Sequence, residues 1–350
     1  MSKELRPRTI RVDASSICQL KCPICPNALR VYDQSVVGYG YLRESDFKNL
    51  LEDNPWLTEI ELCNSGEVFL NPELLGIMEY AHRKGVILAM NSGANLNTVK
   101  PEVLEGLVKY QVRSIACAID GTTNEAYAQY RVNGNLDNVL ENVKTIVAFK
   151  KKYRSRYPLL RWQFVIFGHN ERQISEARAM ADSLGMRFEP RPNVCPDFSP
   201  VRDEALVRSL IGAANIEEFR RTKRVDYGYG ECLQLWDAPQ VNWDGTMIGC
   251  CMNIFTDYGN VFRDGLVTVL NGEKMRRARR MVSGEEPASP EIWCSACPLY
   301  QDRRARGWWV RRGLYHRTVR SAYENLALPY AFKLAAYRRL RGPYALPPLL

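Results

Sequence analysis

The sequence has no apolar run near the ~20 residues that a membrane-spanning helix requires. Its first ten residues, MSKELRPRTI, lack an apolar segment of the secretory type, so export by a signal peptide is not expected. Internal repeats and low-complexity tracts are also missing, which excludes solenoid and collagen-like architectures. Histidine is scarce, at three residues in 350. Cysteine is not. Eleven cysteines in a chain with no export signal point to metal ligands or catalytic thiols rather than disulfides. An apolar fraction of 46% and a charged fraction of 25% are ordinary for one large globular domain or two small ones. The expected location is the cytoplasm.

The net charge of +9 is unevenly spread. From Arg303 to Leu350 there are eleven Lys/Arg and one acid, Glu324, so the rest of the chain is close to neutral. The same tail carries Trp308, Trp309, Tyr315, Tyr323, Tyr330, Phe332, Tyr337 and Tyr344. Binding to nucleic acid would rest on this tail alone and is not expected. The tail is expected to be a partly packed and partly solvated extension, with contact to an anionic membrane surface or a lipid-linked substrate as the second expectation.

Short β-type runs alternate with helical stretches over residues 9–192. The runs are 9–12, 57–62, 86–90, 114–119, 162–167 and 187–189. Asn71-Pro72 signals a helix start and Gly85 its end; a second helix over 170–184 closes at Gly185. Repeated β–α units predict parallel strands with right-handed crossovers. The expected fold is α/β, a partial (β/α)6 barrel with its site at the C-terminal ends of the strands. After Pro192 the rhythm stops. Residues 196–230 read as a helical linker, and Asp244-Gly245 between apolar runs predicts a hairpin over 241–251. The expected domains are a core barrel at 1–195, a linker and small cysteine module at 196–300, and a basic helical extension at 301–350.

Two cysteine constellations follow this layout. Cys18-Gln-Leu-Lys-Cys22-Pro-Ile-Cys25 lies in the loop after the first strand. A structural zinc site needs a fourth ligand and none is near. A cubane iron–sulfur cluster held by three cysteines leaves one iron open for chemistry. The second set is Cys232, Cys250, Cys294 and Cys297, a complete set of four that suits structural zinc or a cubane cluster.

CX3CX2C after the first strand of an alternating β/α chain resembles the radical S-adenosylmethionine (radical SAM) enzymes, over residues 9–192. The resemblance implies a [4Fe–4S] cluster on Cys18, Cys22 and Cys25 with S-adenosylmethionine (SAM) on its open iron. Ser65-Gly66-Glu67 resembles the family's Gly-Gly-Glu segment, in which the carboxylate receives the SAM amino group. Asn91-Ser92-Gly93 resembles the ribose-contacting segment. Relatives often carry Ser-x-Asp-Gly at the fourth strand's end; here Ala118-Ile119-Asp120-Gly121 lacks that serine. Arg131 is a candidate partner of the SAM carboxylate, and Gln163 and Asn170 are candidates to line the site. Ile24 stands where relatives often have an aromatic residue.

After such a core, the second set resembles the twitch module, the short form of the SPASM domain. It implies one auxiliary [4Fe–4S] cluster and two clusters in all. With no cysteine after Cys297, a second auxiliary cluster is not expected. This layout is similar to radical SAM dehydrogenases that oxidise an aminocyclitol alcohol. The expected reaction is dehydrogenation or epimerisation of a sugar, aminocyclitol or glycan-type small molecule, with a flavodoxin or ferredoxin as electron donor. The alternative is modification of a ribosomal peptide; with 17 residues before Cys18, a leader-recognition domain at the N-terminus is not expected. A zinc protein binding nucleic acid is the remote alternative.

Cys251 adjoins ligand Cys250 and is a candidate hydrogen donor, as in radical epimerases. Cys117 reads as a small buried apolar residue, while Cys63 and Cys195 carry no reading. His169, after the fifth strand, is the candidate base. His82 caps a helix and His316 belongs to the tail.

Overall fold

The computed structural model describes residues 4–223 and 227–310. The expectations for 311–350, including most of the basic tail and His316, lie outside the described residues.

Six strands alternate with helices. They are β1 (Thr9–Val12), β2 (Glu59–Glu61), β3 (Ile87–Ala94), β4 (Ser114–Ala118), β5 (Leu159–Ile166) and β6 (Arg187–Pro192). Between them run α1 (Glu44–Asp53), α2 (Leu74–Lys84), α3 (Pro101–Lys109), α4 (Asn124–Tyr130), α5 (Leu136–Lys152) and α6 (Ile174–Ser183). Helices α7 (Glu204–Ile211), α8 (Ile216–Lys223) and α9 (Tyr227–Asp237) then lead into the hairpin β7 (Gln240–Val241) and β8 (Met247–Gly249). The chain continues through α10 (Val261–Asp264), α11 (Leu266–Leu270), α12 (Glu273–Val282) and α13 (Pro298–Ala305).

Local chemistry accounts for the helices. In α2, Leu74, Ile77, Met78 and Ala81 form one buried stripe at helical spacing. Gly85, at φ 70°, ends the helix in the left-handed conformation that glycine adopts without penalty. In α5, Leu136, Val139, Val143 and Ile146 do the same, and the side chain of Asn135 accepts the N–H of Asn138 as a cap.

The strands alternate. Ile10, Val12, Ile60, Leu88, Met90, Ile115, Cys117, Trp162, Phe164 and Ile166 join the buried stripes of the helices in one core. Full burial of each such aliphatic or aromatic side chain contributes about 1.5–3 kcal/mol. Cys117 is therefore a core residue, as its sequence context predicts. The alternate positions of the same strands, such as Arg11, Glu61 and Arg161, face the other way.

The strand order is β6-β5-β4-β3-β2-β1-β7-β8, parallel throughout except for the β7–β8 hairpin. The hairpin predicted around Asp244-Gly245 is present, but it belongs to the barrel sheet. Arg11 pairs with Gln240 and Val12 with Val241, in parallel register. Strands this short are marginal alone and gain their ladder partner from β1. Fully buried Asn242 secures the junction by donating to the carbonyl of Val37 at 2.7 Å. β3 is also longer than its apolar run. It carries Asn91, Ser92 and Gly93 within the strand, with a register shift between Met90 and Ala94.

Candidate cluster and cofactor site

The loop from β1 to α1 holds Cys18, Cys22 and Cys25, and neighbouring segments grip it from two sides. The N–H of Glu67 donates to Ile17 O at 2.8 Å, and that of Lys21 to Val132 O at 3.0 Å. Cys25 N donates to Cys22 O at 3.0 Å, which curls the last two cysteines into one turn. Two side chains aim N–H groups at the sulfurs. Asn95 Nδ2 lies 3.8 Å from Cys18 Sγ, and Arg131 Nη1 lies 3.7 Å from Cys22 Sγ. Burial pushes the Cys18 thiol up to about 12 and raises that of Cys22. Each thiol also feels the charge of its neighbours in the set.

In the second set, Cys232 lies on α9 and Cys250 directly follows β8. Cys294 sits in the one-turn helix Trp293–Ala296, and Cys297 directly precedes α13. All four are buried. Burial raises Cys232 to about 12, Cys294 to about 11, and Cys250 well above the usual thiol range. Tyr258 hydrogen-bonds the Cys294 sulfur, and the charge of Arg303 favours the Cys232 thiolate. Gly249, at φ 80°, lets Tyr258 approach: a Cβ there would lie 2.9 Å from its ring.

Among the described residues, no three or more His, Cys, Asp or Glu side chains gather around a single metal-ion position. A cubane cluster makes a different demand, because each of its irons takes its own thiolate. Two sets of neighbouring cysteines, the first half-buried to buried and the second wholly buried, met by N–H or O–H donors, have the chemistry such clusters need. The residues present fit iron–sulfur clusters.

Of the residues predicted to hold SAM, Gly66, Glu67 and Arg131 lie against the loop of the first set. Gly66 packs on the cysteine loop so tightly that a Cβ would lie 2.5 Å from the Ser16 backbone. Glu67 is buried, and both its oxygens accept backbone N–H groups, from Asn95 at 2.7 Å and Phe69 at 3.3 Å. Burial raises its carboxyl to about 7, against the pull of those bonds and of Arg131. Arg131 pairs with Asp120 at 2.6 Å while reaching Cys22. Asn170 is fully buried and serves the backbone, donating to Asp120 O at 3.0 Å and Val165 O at 2.9 Å.

Asn91 and Ser92 belong to a feature that sequence reasoning missed, a polar belt across the inner face of the sheet. Arg11 donates to Gln240 at 2.8 Å, to Ser92 Oγ at 2.7 Å and to Cys63 O at 3.0 Å. The N–H of Asn91 donates to Glu61 at 2.6 Å. Asn91 Oδ1 accepts from Ser114 at 2.7 Å and also from Arg161. Arg161 reaches Glu189 at 3.2 Å. Barrel interiors are usually packed with bulky branched residues. Here Ser92 is exposed within a central strand, and Arg11, Asn91 and Glu189 are half-buried. Two buried polar atoms of the belt, Arg161 Nε and Gln163 Oε1, have no hydrogen-bond partner among the described residues. Gly93, at φ 105°, packs beside the belt: a Cβ there would lie 3.4 Å from Gln163 Nε2 and 3.6 Å from the Ala118 Cβ. The signal was legible as alternation. Thr9-Ile-Arg-Val12, Glu59-Ile-Glu61 and Arg187-Phe-Glu189 place polar groups at every second residue of strands whose other face is helix-covered.

The two candidate hydrogen- or proton-moving groups lie apart. Cys251 N donates to Gln234 Oε1 at 2.8 Å, and Gln234 Nε2 lies 3.3 Å from Cys251 Sγ. Burial raises this thiol to about 11, while Arg11 in the belt pulls the other way. His169 stacks on Phe167, and its Nδ1 lies 2.8 Å from Ser199 Oγ. It lines a cleft of about 860 Å³ with Glu171, Arg172 and Arg202, and burial lowers its pKa.

Residues 232–298 match the family described as an iron–sulfur cluster-binding domain, SPASM. Cys232, Cys250, Cys294 and Cys297 all fall within that match. The structure is similar to SuiB of Streptococcus suis bound to S-adenosylmethionine, at 13% identity and TM-score 0.60, over 84% of this chain and 71% of that one. It is similar to SuiB bound to its precursor peptide SuiA at 12% identity and TM-score 0.58, over 84% and 70%. Against BtrN in complex with AdoMet and 2-DOIA the TM-score is 0.40 at 12% identity, over 80% of this chain and 88% of that one. A search of curated proteins found no match. The class defined by fold and site is a partial α/β barrel with two cysteine sets. More particularly, the chain has the fold of the radical SAM enzymes and carries a SPASM iron–sulfur domain. Among the described residues, no helix is long and apolar enough to cross a membrane.

Proposed function

We propose that this chain is a radical SAM oxidoreductase or epimerase acting on a sugar, aminocyclitol or glycan-type substrate inside the barrel. In this reading residues 1–195 form the SAM-binding core, 196–300 the linker and a twitch-type module with one auxiliary cluster, and 301–350 a basic extension. A cluster with one open iron, loaded with S-adenosylmethionine, supplies a 5′-deoxyadenosyl radical that takes a substrate hydrogen atom.

The observation that carries the substrate class is the polar belt. β7 runs parallel to β1 and β8 returns, so Cys250 and Cys251 follow a strand end at the level of Arg11, while Cys18 lies beyond the other end of β1. Arg11 of the belt is thus level with the start of the second set, on the strand that leads to the first. A hydroxyl both donates and accepts, so a polyol matches the unpartnered Gln163 Oε1 and Arg161 Nε together. An apolar substrate would leave both buried and unpaired, at about 1–3 kcal/mol each.

In this reading Gly66 and Glu67 hold the cysteine loop, and Asn91, Ser92 and Arg131 face SAM or substrate. Cys251, steadied by Gln234 beside Arg11, is the group placed to return a hydrogen atom. His169 is the candidate base at the neighbouring cleft. An external flavodoxin or ferredoxin supplies the electron.

The test is iron and sulfide content after anaerobic reconstitution, followed by 5′-deoxyadenosine formation with dithionite. About eight of each per chain means two cubane clusters, and substrate-stimulated 5′-deoxyadenosine is then sought across inositols, amino sugars and aminocyclitols. Iron-free protein after reconstitution refutes the radical SAM reading. A peptide substrate that stimulates cleavage where every polyol fails refutes the substrate class.

A further inference from the structure

We propose that Arg131 sets the redox properties of the first cysteine set by donating to the Cys22 sulfur, with Asp120 holding it in place; this rests on the reading of Cys18, Cys22 and Cys25 as cluster ligands. Three observations meet here. Arg131 Nη1 lies 3.7 Å from Cys22 Sγ. Arg131 Nε is tied at 2.6 Å to Asp120, which is fully buried and whose other oxygen accepts the N–H of Val165 at 2.7 Å. The segment that carries Arg131 docks on the cysteine loop itself, because Lys21 N donates to Val132 O at 3.0 Å.

The guanidinium is thus anchored from strand β5 through Asp120 and cannot swing away from the sulfur without breaking a buried ion pair. Its surroundings are half-buried and aromatic, with the Arg131 side chain 14% exposed. Tyr130, Phe167 and Phe198 pack together beside it, with ring centroids 4.5–5.6 Å apart. In such a medium a fixed N–H donor and positive charge act strongly on a neighbouring thiolate. Reduction adds one negative charge to a cluster. A donor on a ligand sulfur and a nearby cation favour that reduced state, and hydrogen bonds to sulfur together with net charge are among the terms that set cluster potentials. Asp120 opposes the effect by its own charge while fixing the donor. The pair is therefore a tuning device in which the two members act with opposite sign.

The test uses the full-length, reconstituted protein and reads the midpoint potential by EPR-monitored titration, following the signal that changes when SAM is added. The auxiliary cluster serves as internal reference. Asp120→Asn removes the opposing charge, and its expected midpoint is more positive than wild type. The double variant Asp120→Asn/Arg131→Met removes donor and cation without leaving a buried acid unpaired. Its expected midpoint is about 59 mV more negative than that of Asp120→Asn, a tenfold change in the one-electron equilibrium. An Asp120→Asn midpoint that does not rise above wild type, or a double-variant midpoint that does not fall below that of Asp120→Asn, overturns the proposal and leaves Arg131 a structural clamp. If the double variant does not take up iron, the single Asp120→Asn variant decides by whether its midpoint rises. A wild-type protein with no iron on the first set would instead overturn the ligand reading beneath it.

Discussion

Replacing Gly66 by alanine isolates one contact on which the first cysteine set depends. The new Cβ would lie 2.5 Å from Ser16 C, 2.6 Å from Ile17 O and 2.6 Å from Ser15 O. All three are backbone atoms, so no flexible side chain can turn away. Gly66 is not among the glycines held at positive φ, so the effect is steric rather than conformational. Overpacking of this kind costs about 1–3 kcal/mol. At about 2 °C per kcal/mol for a chain of this size, Tm should fall by roughly 2–6 °C. Relief can come only by moving the segment that leads into Cys18, so occupancy of the first cluster should fall as well. Gly85→Ala is the control. Gly85 has φ +70° and nothing within 4 Å of its built Cβ. Its cost of about 1–2 kcal/mol is purely conformational and should leave iron content unchanged. The assay is iron per chain together with thermal unfolding of both variants. If Gly66→Ala takes up as much iron as wild type and melts at the same temperature, the Gly66 contact does not position the cysteine loop.

Three further outcomes are expected. Cys294→Ala/Cys297→Ala should lower iron from about eight to about four per chain, while 5′-deoxyadenosine formation survives; equal loss of both would mean that the two sets are not independent. Cys251→Ala should abolish epimerised product while 5′-deoxyadenosine still forms, and full product yield from this variant would remove Cys251 as hydrogen donor. Asp13 is fully buried, and burial raises its carboxyl from 3.8 to about 6. A raised acid contributes its stability below the unfolded value and loses it as pH rises through the folded one. Asp13→Asn should therefore gain on wild type by about 2 kcal/mol more at pH 8 than at pH 4.5. Urea unfolding at both pH values checks this, and a pH-independent difference would contradict it.

Much of the molecule is legible without coordinates because the relevant signals are local. The outward-facing half of each strand, such as Ile10 and Val12 or Trp162 and Phe164, announces itself by alternation. Gly85 and Gly185 mark helix ends, and both adopt positive φ. Cysteine spacing marks two metal-binding sets, and the second falls within the matched SPASM domain. The inward half was harder to read. An arginine at position 11 or 161 looks like a solvated charge until the sheet curls and makes that face an interior.

The sequence by itself determined the order of β–α units, the two cysteine sets and the hairpin at Asp244-Gly245, since each depends on residues close together in the chain. Only the tertiary structure decided what those pieces meet. It joined β7 to β1 across 228 intervening residues, between Arg11 and Gln240. It placed Asn91 and Ser92 inside a strand facing Arg161 and Arg11 rather than in a loop. It gave both oxygens of Glu67 to backbone donors and turned Arg131 onto Cys22. The reason is common to all of these: hydrogen bonds and ion pairs between residues far apart in sequence exist only once the sheet has closed, and no local pattern of side chains encodes which distant partner will lie within 3 Å.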